Sequence, residues 1–333
     1  MLIYKKTKVL GMGNALVDII FQIGDDTHLQ KLGLPKGSMS LVDDIQANNV
    51  LQYFKDYPRS IATGGSASNT ISALASLNLS CGFIGCVGEK DEYGKFYTED
   101  LNKHGVTPYF EKSDLPSGTA ITLMSPDSER TFATFLGAAC TLGAAHLKPE
   151  FFQGYDYFHV EGYLVQNYEL IETAMRMAKA AGAKISCDMA SYNVVEDNLD
   201  FLKRIVPEYV DILFVNEEEA KAFTGKEDLD ALHIIGDMCD IAVVKVGARG
   251  SLLKQNGKVY IVKPCPATCI DTNGAGDSYA AGIIYGLSKH LNLDKCGEIA
   301  SLISSKVVQV RGPKLGKETW HSLQEEINQI EKR

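Results

Sequence analysis

The sequence lacks the motifs by which many nucleotide-binding and hydrolytic sites are recognised. The nearest match to a Walker A loop, residues 312–318, is one residue too short, and Glu318 stands where a Ser or Thr would bind the metal. Residues 11–16 begin like a dinucleotide-binding fingerprint, but Leu16 replaces a required glycine. Likewise, Ser68 stands where the GxSxG motif of a serine-hydrolase nucleophile elbow requires a glycine. A P-loop, a Rossmann-type cofactor site and a serine hydrolase are therefore excluded.

Metal-binding and membrane segments are also missing. The chain has eight cysteines but no CxxC pair, and Cys265 and Cys269 have no histidine near them, which argues against a zinc site. Most cysteines are expected to be small buried apolar residues in a reducing cytosol. Residues 1–13 contain no apolar signal segment, and no run is long enough to span a bilayer. These absences predict a soluble, cytoplasmic protein with no membrane partner.

Positive charge is in short supply. The 333 residues include 33 Lys and Arg against 42 Asp and Glu, a formal net charge of −9. Nucleic acids bind to clustered basic side chains, so the composition predicts no nucleic-acid partner. A phosphate-bearing ligand stays possible, because backbone amides can bind phosphate inside an acidic protein.

The hydrophobic pattern alternates between short apolar runs and amphipathic segments. Apolar runs such as "KVLGMGN", "CGFIGCVG", "AKISCDM" and "DILFV" alternate with helical patterns, for example at 68–78 and 167–181. This alternation predicts an α/β fold with a doubly wound, mostly parallel sheet and helices on both faces. Asn256-Gly257, between two alternating runs, predicts a type I′ hairpin.

Two regions depart from this alternation of strands and helices. Residues 19–45 and 106–136 read as strand pairs with turns, the second turn near Pro126-Asp127. We expect them to form a small β-sheet lid over a core made of residues 1–18, 46–105 and 137–333. A lid can exclude water during catalysis, and a static extension of the core is the alternative. Its outer face could pair with a second copy in a homodimer or face water.

The string "DTNGAGDSYAAG", residues 271–282, carries the strongest functional signal. Gly274, Ala275 and Gly276 come directly before Asp277, where we expect a helix to begin. Free amides at a helix N-terminus, combined with the helix dipole, suit a phosphoryl group. Asp277 is then placed to accept a proton from an attacking hydroxyl. An Asp that only caps the helix would not explain the whole string.

Polar residues follow the first strand and open the helix at 68–78. Asn14 and Asp18 lie in "GMGNALVD", and Asp18 could accept hydrogen bonds from ligand hydroxyls or simply be solvated. In "TGGSASNT", Gly64-Gly65 would allow close approach of a ligand, and Asn69 offers a donor and an acceptor. There Ser66 or Ser68 could cap the helix. An ordinary glycine turn with a cap explains this string equally well.

Two further strings follow strands. In "NEEEA", Asn216 and Glu219 could hold a hydrated Mg²⁺ through water, or could only favour the helix N-terminus. In "KVGARGS", Lys245 could contact a phosphate, while Gly247 and Gly250 would let a nucleotide approach. A glycine-rich turn is the alternative.

Taken in order, "GGSASN", "NEEEA", "KVGARGS" and "DTNGAGDSYAAG" resemble the ribokinase-like, or PfkB, family of small-molecule kinases over essentially the whole chain. The resemblance implies transfer of the γ-phosphoryl group of ATP, with Mg²⁺, to a CH₂OH group, and a monovalent cation near Asp271. It implies a catalytic site of Asp277 with Gly274, Ala275 and Gly276. It implies acceptor contacts from Asn14, Asp18, Gly64, Gly65 and Asn69. It implies nucleotide contacts from Asn216, Glu219, Lys245, Gly247 and Gly250, with Glu219 near the metal through water.

The strings "GMGNALVD", "ERTFATFLGAA" and "VEGYL" are most similar to the adenosine-kinase branch. Adenosine is therefore the expected acceptor; a sugar such as ribose or fructose is the first alternative, and a binding protein without catalysis the second. Arg130 could bind a sugar phosphate or pair with an acid in the lid. Lys245 replaces a frequent Thr, Asn273 a frequent Thr or Pro, and "RGPKLG" a small-residue ending.

Overall fold

The computed structural model describes residues 6–127 and 129–333. In these residues there are fourteen strands: β1 (Lys8–Met12), β2 (Leu16–Gln22), β3 (Met39–Leu41), β4 (Arg59–Gly64), β5 (Ser80–Gly88), β6 (Val106–Ser113), β7 (Gly118–Met124), β8 (Arg130–Phe135), β9 (Tyr157–Glu161), β10 (Lys184–Asp188), β11 (Ile212–Asn216), β12 (Ile241–Lys245), β13 (Ser251–Gln255) and β14 (Lys258–Val262).

The same residues form thirteen α-helices: α1 (Thr27–Leu32), α2 (Asp44–Tyr53), α3 (Ser66–Ser76), α4 (Glu92–Lys103), α5 (Pro149–Phe152), α6 (Tyr168–Ala180), α7 (Tyr192–Asp197), α8 (Leu199–Tyr209), α9 (Glu217–Thr224), α10 (Asp228–Ile235), α11 (Ala275–Ser288), α12 (Leu293–Val307) and α13 (Lys317–Lys332). The predicted helices at 68–78 and 167–181 correspond to α3 and α6, within two residues at each end.

The large sheet has nine strands in the order β14-β13-β12-β11-β10-β9-β1-β5-β6. All neighbouring pairs from β12 to β6 are parallel, and only β13 and β14 run antiparallel to their neighbours. Asn256 and Gly257 join these two strands with φ of 50° and 75°, the positive angles that a type I′ turn requires. The predicted fold class and the hairpin are both confirmed.

Apolar side chains cover both faces of this sheet. On β1, Val9 belongs to a buried cluster with Ile71 of α3, whereas its neighbour Leu10 belongs to a cluster with Ile171 of α6. Successive residues of a strand point to opposite faces, so the near-continuous apolar run of β1 is buried on both sides. Helices α3, α11 and α12 pack together on one side, and α6 and α8 lie on the other.

The small sheet has five strands in the order β3-β8-β7-β2-β4. On β2, Val17, Ile19 and Phe21 are buried and alternate with less buried residues. Phe21 stacks on Phe54 at the end of α2, with ring centroids 5.1 Å apart. The sheet is therefore apolar on one face, and its other face contributes Leu16 and Asp18 to the wall of a cavity.

Two strands lie outside the boundaries that we predicted for the lid. β6 pairs in parallel with β5 and belongs to the large sheet, although residues 106–136 were all assigned to the lid. β4 pairs with β2 and belongs to the small sheet, although residues 46–105 were assigned to the core. A strand's apolar pattern does not reveal which sheet it joins. The predicted turn at Pro126-Asp127 does connect β7 with β8.

Within residues 6–127 and 129–333, no helix has the length and apolar character needed to cross a membrane. Cys81, Cys86, Cys187 and Cys296 are buried, as expected. Cys140 and Cys269 are exposed, and Cys239 and Cys265 are partly exposed, so half of the cysteines are buried and not most of them.

Candidate active site

A cavity of about 1010 Å³ lies between the small sheet and the carboxyl ends of the large-sheet strands. This is where ligands bind in open parallel sheets. The cavity brings together most of the residues singled out from the sequence: Asn14, Asp18, Gly65, Asn69, Asn216, Glu219, Lys245, Gly274, Gly276 and Asp277. Four other predicted site residues are not among its lining residues: Gly64, Gly247, Gly250 and Ala275.

Asp277 lies in the first turn of α11. The helix begins at Ala275, two residues earlier than predicted, and Gly274 is its N-cap with a left-handed φ of 74°. Asp277 is therefore the third residue of the helix and not its cap. The side chain of Ser66 donates to Asp277 Oδ1 at 2.7 Å, and that of Asn69 donates to Oδ2 at 2.9 Å. These two bonds from α3 fix the carboxylate.

The buried environment of Asp277 raises the pKa of its carboxylate. Burial raises its pKa to about 6, against the hydrogen bonds from Ser66 and Asn69, which favour the charged form. An acid with such a pKa is ionised at pH 7 and is a much better proton acceptor than an ordinary carboxylate.

One of the backbone amides that precede Asp277 is already hydrogen-bonded within the protein. The Ala275 amide donates to the Thr272 carbonyl at 3.2 Å, so this amide is not free to bind an anion as we expected. A Cβ placed on Gly274 would lie 2.4 Å from Pro313 Cβ, so packing alone requires glycine there. A Cβ on Gly276 would meet Lys245 Nζ at 3.1 Å. The space next to Gly276 is thus bounded by a cation, which suits a phosphoryl oxygen.

The two glycines of the "TGGSASNT" string are explained by contacts within the protein. A Cβ on Gly64 would lie 2.3 Å from Asp18 Oδ1, and a Cβ on Gly65, whose φ is 93°, would lie 2.2 Å from the Asn14 carbonyl. These glycines let β2 and β4 approach and set the position of Asp18. The predicted cap is wrong, because Gly65 is the N-cap of α3 and makes no side-chain cap bond.

Asp18 carries the second perturbed carboxylate of the cavity. Burial raises its pKa to about 7, partly offset by the positive charges of Lys314 and Arg130. Because this pKa is close to 7, a small change in the charges around Asp18 decides whether its carboxylate is ionised at pH 7.

Glu161, at the end of β9, was missed in the sequence. It is 1% exposed, and it accepts hydrogen bonds from the Asn14 amide, the Asn14 side chain and the Ala67 amide, at 2.9, 2.9 and 2.8 Å. Burial raises its pKa to about 7 despite these bonds. Glu161 thus joins the turn after β1 to the start of α3. Its position at the carboxyl end of a parallel strand was the available signal.

Lys245 forms a buried ion pair with Asp188. Asp188, the last residue of β10, was also missed in the sequence. Lys245 Nζ lies 2.7 Å from Asp188 Oδ2, and the two side chains are 16% and 8% exposed. Burial opposes the charged amine, but Asp188 and Glu219 outweigh it, so the pKa of Lys245 is raised. A permanent positive charge therefore faces the cavity beside Gly276.

Asn216 and Glu219 form a reciprocal capping box at the start of α9. The Asn216 side chain accepts from the Glu219 amide at 2.8 Å, while the Glu219 carboxylate accepts from the Asn216 amide and side chain at 2.8 and 2.7 Å. The helix-capping explanation from the sequence therefore applies. Both residues still line the cavity, so the remaining lone pairs of Glu219 can accept from water.

Gly250 has a structural role. Its φ is 99°, and a Cβ there would lie 2.1 Å from the Val262 carbonyl. Gly247, with φ of 54°, has only Glu217 within 4 Å of such a Cβ. The turn alternative therefore explains Gly250, and Gly247 leaves open space beside the turn.

Arg130 joins the small sheet to the loop before α11. Its guanidinium forms an ion pair with Asp271, and the two side chains are 12% and 5% exposed. Asp271 belongs to the core, so the expected pairing of Arg130 with an acid of the lid is wrong. Asp271 also accepts from the Asn273 and Gly312 amides at 2.9 and 2.6 Å.

The lining residues fit a phosphate-bearing nucleotide with a hydrated Mg²⁺. Lys245 supplies positive charge beside an open glycine, and the acidic side chains of Asp188 and Glu219 line the same cavity. Mg²⁺ usually keeps several waters and takes few protein ligands. Asp188 and Glu219 would hold those waters.

Comparison with known proteins identifies one family model, described as pfkB family carbohydrate kinase, that matches residues 59–320. Adenosine kinase 2 of Arabidopsis thaliana is 27% identical over 329 residues, covering 91% of this chain and 94% of that protein. A probable sugar kinase from Rhizobium etli CFN 42 superimposes with a TM-score of 0.86 and 29% identity, covering 98% and 99% of the two chains. For the adenosine kinase from Sinorhizobium meliloti the TM-score is 0.84 and the identity 30%, with the same coverage.

Proposed function

The chain belongs to the pfkB family of carbohydrate kinases and is a phosphotransferase that acts on an alcohol group of a nucleoside or sugar; from this premise we propose that its acceptor is adenosine. The group transferred is the γ-phosphoryl group of ATP, and the oxygen that receives it belongs to the CH₂OH group of the ribose.

In this proposal Asp277 is the general base. Ser66 and Asn69 hold its carboxylate, which accepts the proton of the acceptor hydroxyl as that oxygen attacks the γ-phosphorus. Asp18 and Asn14 bind the acceptor, and Lys245 binds a phosphate oxygen and stabilises the charge that develops there. Mg²⁺ would supply further charge neutralisation on the nucleotide phosphates. Positioning and electrostatics then provide most of the rate enhancement.

The apolar side chains that line one wall of the cavity are the observation that favours a nucleoside acceptor over a sugar. Six apolar side chains line the cavity: Met39, Leu41 and Phe132 of the small sheet, together with Leu136, Leu142 and Leu164. Met39 and Leu41 are 53% and 60% exposed, so they have surface for a ligand to cover. A purine base has an apolar face that would bury this surface, whereas a monosaccharide has no comparable group.

A sugar acceptor is the second candidate, because the cavity also has a polar side. Gln166, Asn193 and Asp197 line it, and amide and carboxylate groups of this kind bind sugar hydroxyls.

ADP release from ATP and Mg²⁺ tests the acceptor. We expect turnover with adenosine to exceed that with other nucleosides, ribose and fructose at equal concentration, because only a nucleoside covers the apolar wall. Leu41→Asn should raise the KM for adenosine and leave the KM for ATP unchanged. Faster turnover with ribose or fructose would replace the proposed acceptor by a sugar. Calorimetric binding of adenosine with no ADP release would indicate a binding protein.

Among the perturbed carboxylates of the cavity, Asp18 and Asp277 are the two assigned to the acceptor, and they predict the pH dependence. The pKa values of Asp18 and Asp277 are raised to about 7 and about 6, and both groups act in the ionised form. The value of kcat/KM for the acceptor should therefore fall as pH drops through 7, and more steeply below 6. Asp18→Asn should remove the upper transition and keep the lower one. A single acid limb near pH 4 would contradict both assignments.

A further inference from the structure

The C-terminal segment, which we define as residues 308–316, is attached to the loop before α11. The Val308 carbonyl accepts from the Asp271 amide at 3.1 Å, and the Gly312 amide donates to Asp271 Oδ2 at 2.6 Å. The segment is thus held in place at the phosphoryl side of the cavity.

Lys314 extends from this segment to the acceptor side. Its ammonium contacts the Thr63 hydroxyl on β4 and lies 3.5 Å from Asp100 Oδ2 on α4, and Thr63 itself donates to Asp100 at 2.5 Å. Thr63 pairs across the small sheet with Val17, the neighbour of Asp18. The Lys314 side chain is 27% exposed and does not line the cavity. Lys314 therefore contacts β4, the strand paired with the Asp18 strand β2, without lining the cavity itself.

A Cβ on Gly64, the residue after Thr63, would lie 2.3 Å from Asp18 Oδ1, so the strand that Lys314 contacts borders this carboxylate. Three charged groups act on Asp18. Lys314 and Arg130 favour its ionised form, in that order, and the carboxylate of Asp277 opposes it. Arg130 is already paired with Asp271 in a buried contact, which reduces its effect on other carboxylates. Lys314 is therefore the cation on which the charge of Asp18 depends most. Burial lowers the pKa of Lys314, against the opposing effect of Asp100 and Asp18.

We infer that Lys314 is a positioning residue for acceptor binding: it fixes the end of β4 beside Asp18 and supplies the positive charge that keeps the Asp18 carboxylate able to accept hydrogen bonds from acceptor hydroxyls. The inference rests on the proposed function, in which Asp18 binds the acceptor. Lys314 itself acts through Asp18 and Thr63 and contacts no reacting atom.

The first test measures Asp18 without any acceptor. The full chain, labelled with [¹³C]aspartate, is titrated by NMR, and Asp18→Asn identifies the Asp18 carboxyl resonance. In Lys314→Met its titration midpoint should rise by roughly one pH unit, because an opposite charge close to a carboxylate lowers its pKa by about one unit or more. Lys314→Arg keeps the charge and should keep the midpoint. The matched control, Lys317→Met, removes an exposed lysine three residues away and should change nothing. An unchanged midpoint in folded Lys314→Met overturns the inference.

Kinetics then measure the consequence for the acceptor. At pH 6, Lys314→Met should raise the KM for adenosine by roughly tenfold, the factor that one pKa unit represents. At pH 9, where Asp18 is ionised in both proteins, the difference should nearly vanish, and the KM for ATP should stay the same throughout. A loss that is equal at every pH and shared with ATP would indicate a purely structural role and overturn the inference. If the wild-type chain does not phosphorylate adenosine, the proposed acceptor is wrong, and the NMR titration still decides the role of Lys314.

Discussion

Asp277→Asn should lower kcat by roughly 10²–10⁴-fold, the range lost when a general base is removed, and leave the KM values within a fewfold of wild type. The amide oxygen can still accept from Asn69, and the amide nitrogen can donate to the Ser66 hydroxyl, but the amide cannot take the proton of the acceptor. Steady-state ADP release measures the loss.

The matched control for this variant is Asp294→Asn. Asp294 is the acidic residue in the first turn of α12, as Asp277 is in α11, so it has the same favourable interaction with a helix dipole. Asp294 is exposed and lies outside the cavity lining. Its substitution should leave activity within twofold. Near-normal activity of folded Asp277→Asn would remove Asp277 from the catalytic role and leave it with only the dipole interaction.

Lys245→Met should destabilise the fold by about 3–5 kcal/mol, the cost of leaving one partner of a buried ion pair uncompensated. Asp188, whose side chain is 8% exposed, would lose its ion-pair partner, and Glu219, at 2%, would lose the same nearby cation. Urea denaturation gives the free energy of unfolding. Adding Asp188→Asn to Lys245→Met should recover part of the loss, because the uncompensated charge is then removed.

Lys254→Met, on the neighbouring strand β13, is the control for burial of the side chain. Lys254 is as buried as Asp188, at 8% exposure, but its partner Asp237 is 76% exposed and can be solvated when the lysine is lost. We expect a distinctly smaller loss of stability than for Lys245→Met. If both variants cost the same, the effect would come from lost side-chain packing and not from the isolated carboxylates.

The core of the fold was predictable because its signals are local. Apolar runs separated by helical patterns indicate a parallel sheet covered on both faces, and Asn256-Gly257 demands a tight hairpin. In contrast, the local sequence of a strand does not determine which sheet it joins. Nothing in the residues of β6 or β4 indicates that β6 pairs with β5 and β4 with β2, so both were assigned to the wrong sheet.

That residues share the cavity was predictable where they belong to one string: Gly274, Gly276 and Asp277 all line it. Glu161 and Asp188 were missed, and Ser66 was interpreted only as a possible helix cap, because each owes its importance to a partner far along the chain. Gly64, Gly65 and Gly250 were recognised as unusual, but the sequence could not distinguish an approaching ligand from an approaching strand. In the structure the neighbours are Asp18, Asn14 and Val262.

The long separations within the site constrain how the protein can be made. Ser66 and Asp277 are 211 residues apart, Asn14 and Glu161 are 147, and Thr63 and Lys314 are 251. Closing such long loops costs chain entropy that is recovered only when the distant partner arrives. On the ribosome, residues 14–69 therefore emerge long before Asp277 and Lys314, which they contact in the folded protein. Until residue 314 has been synthesised, Thr63 and Asp100 lack their Lys314 partner, and incompletely packed chains of this size are prone to association.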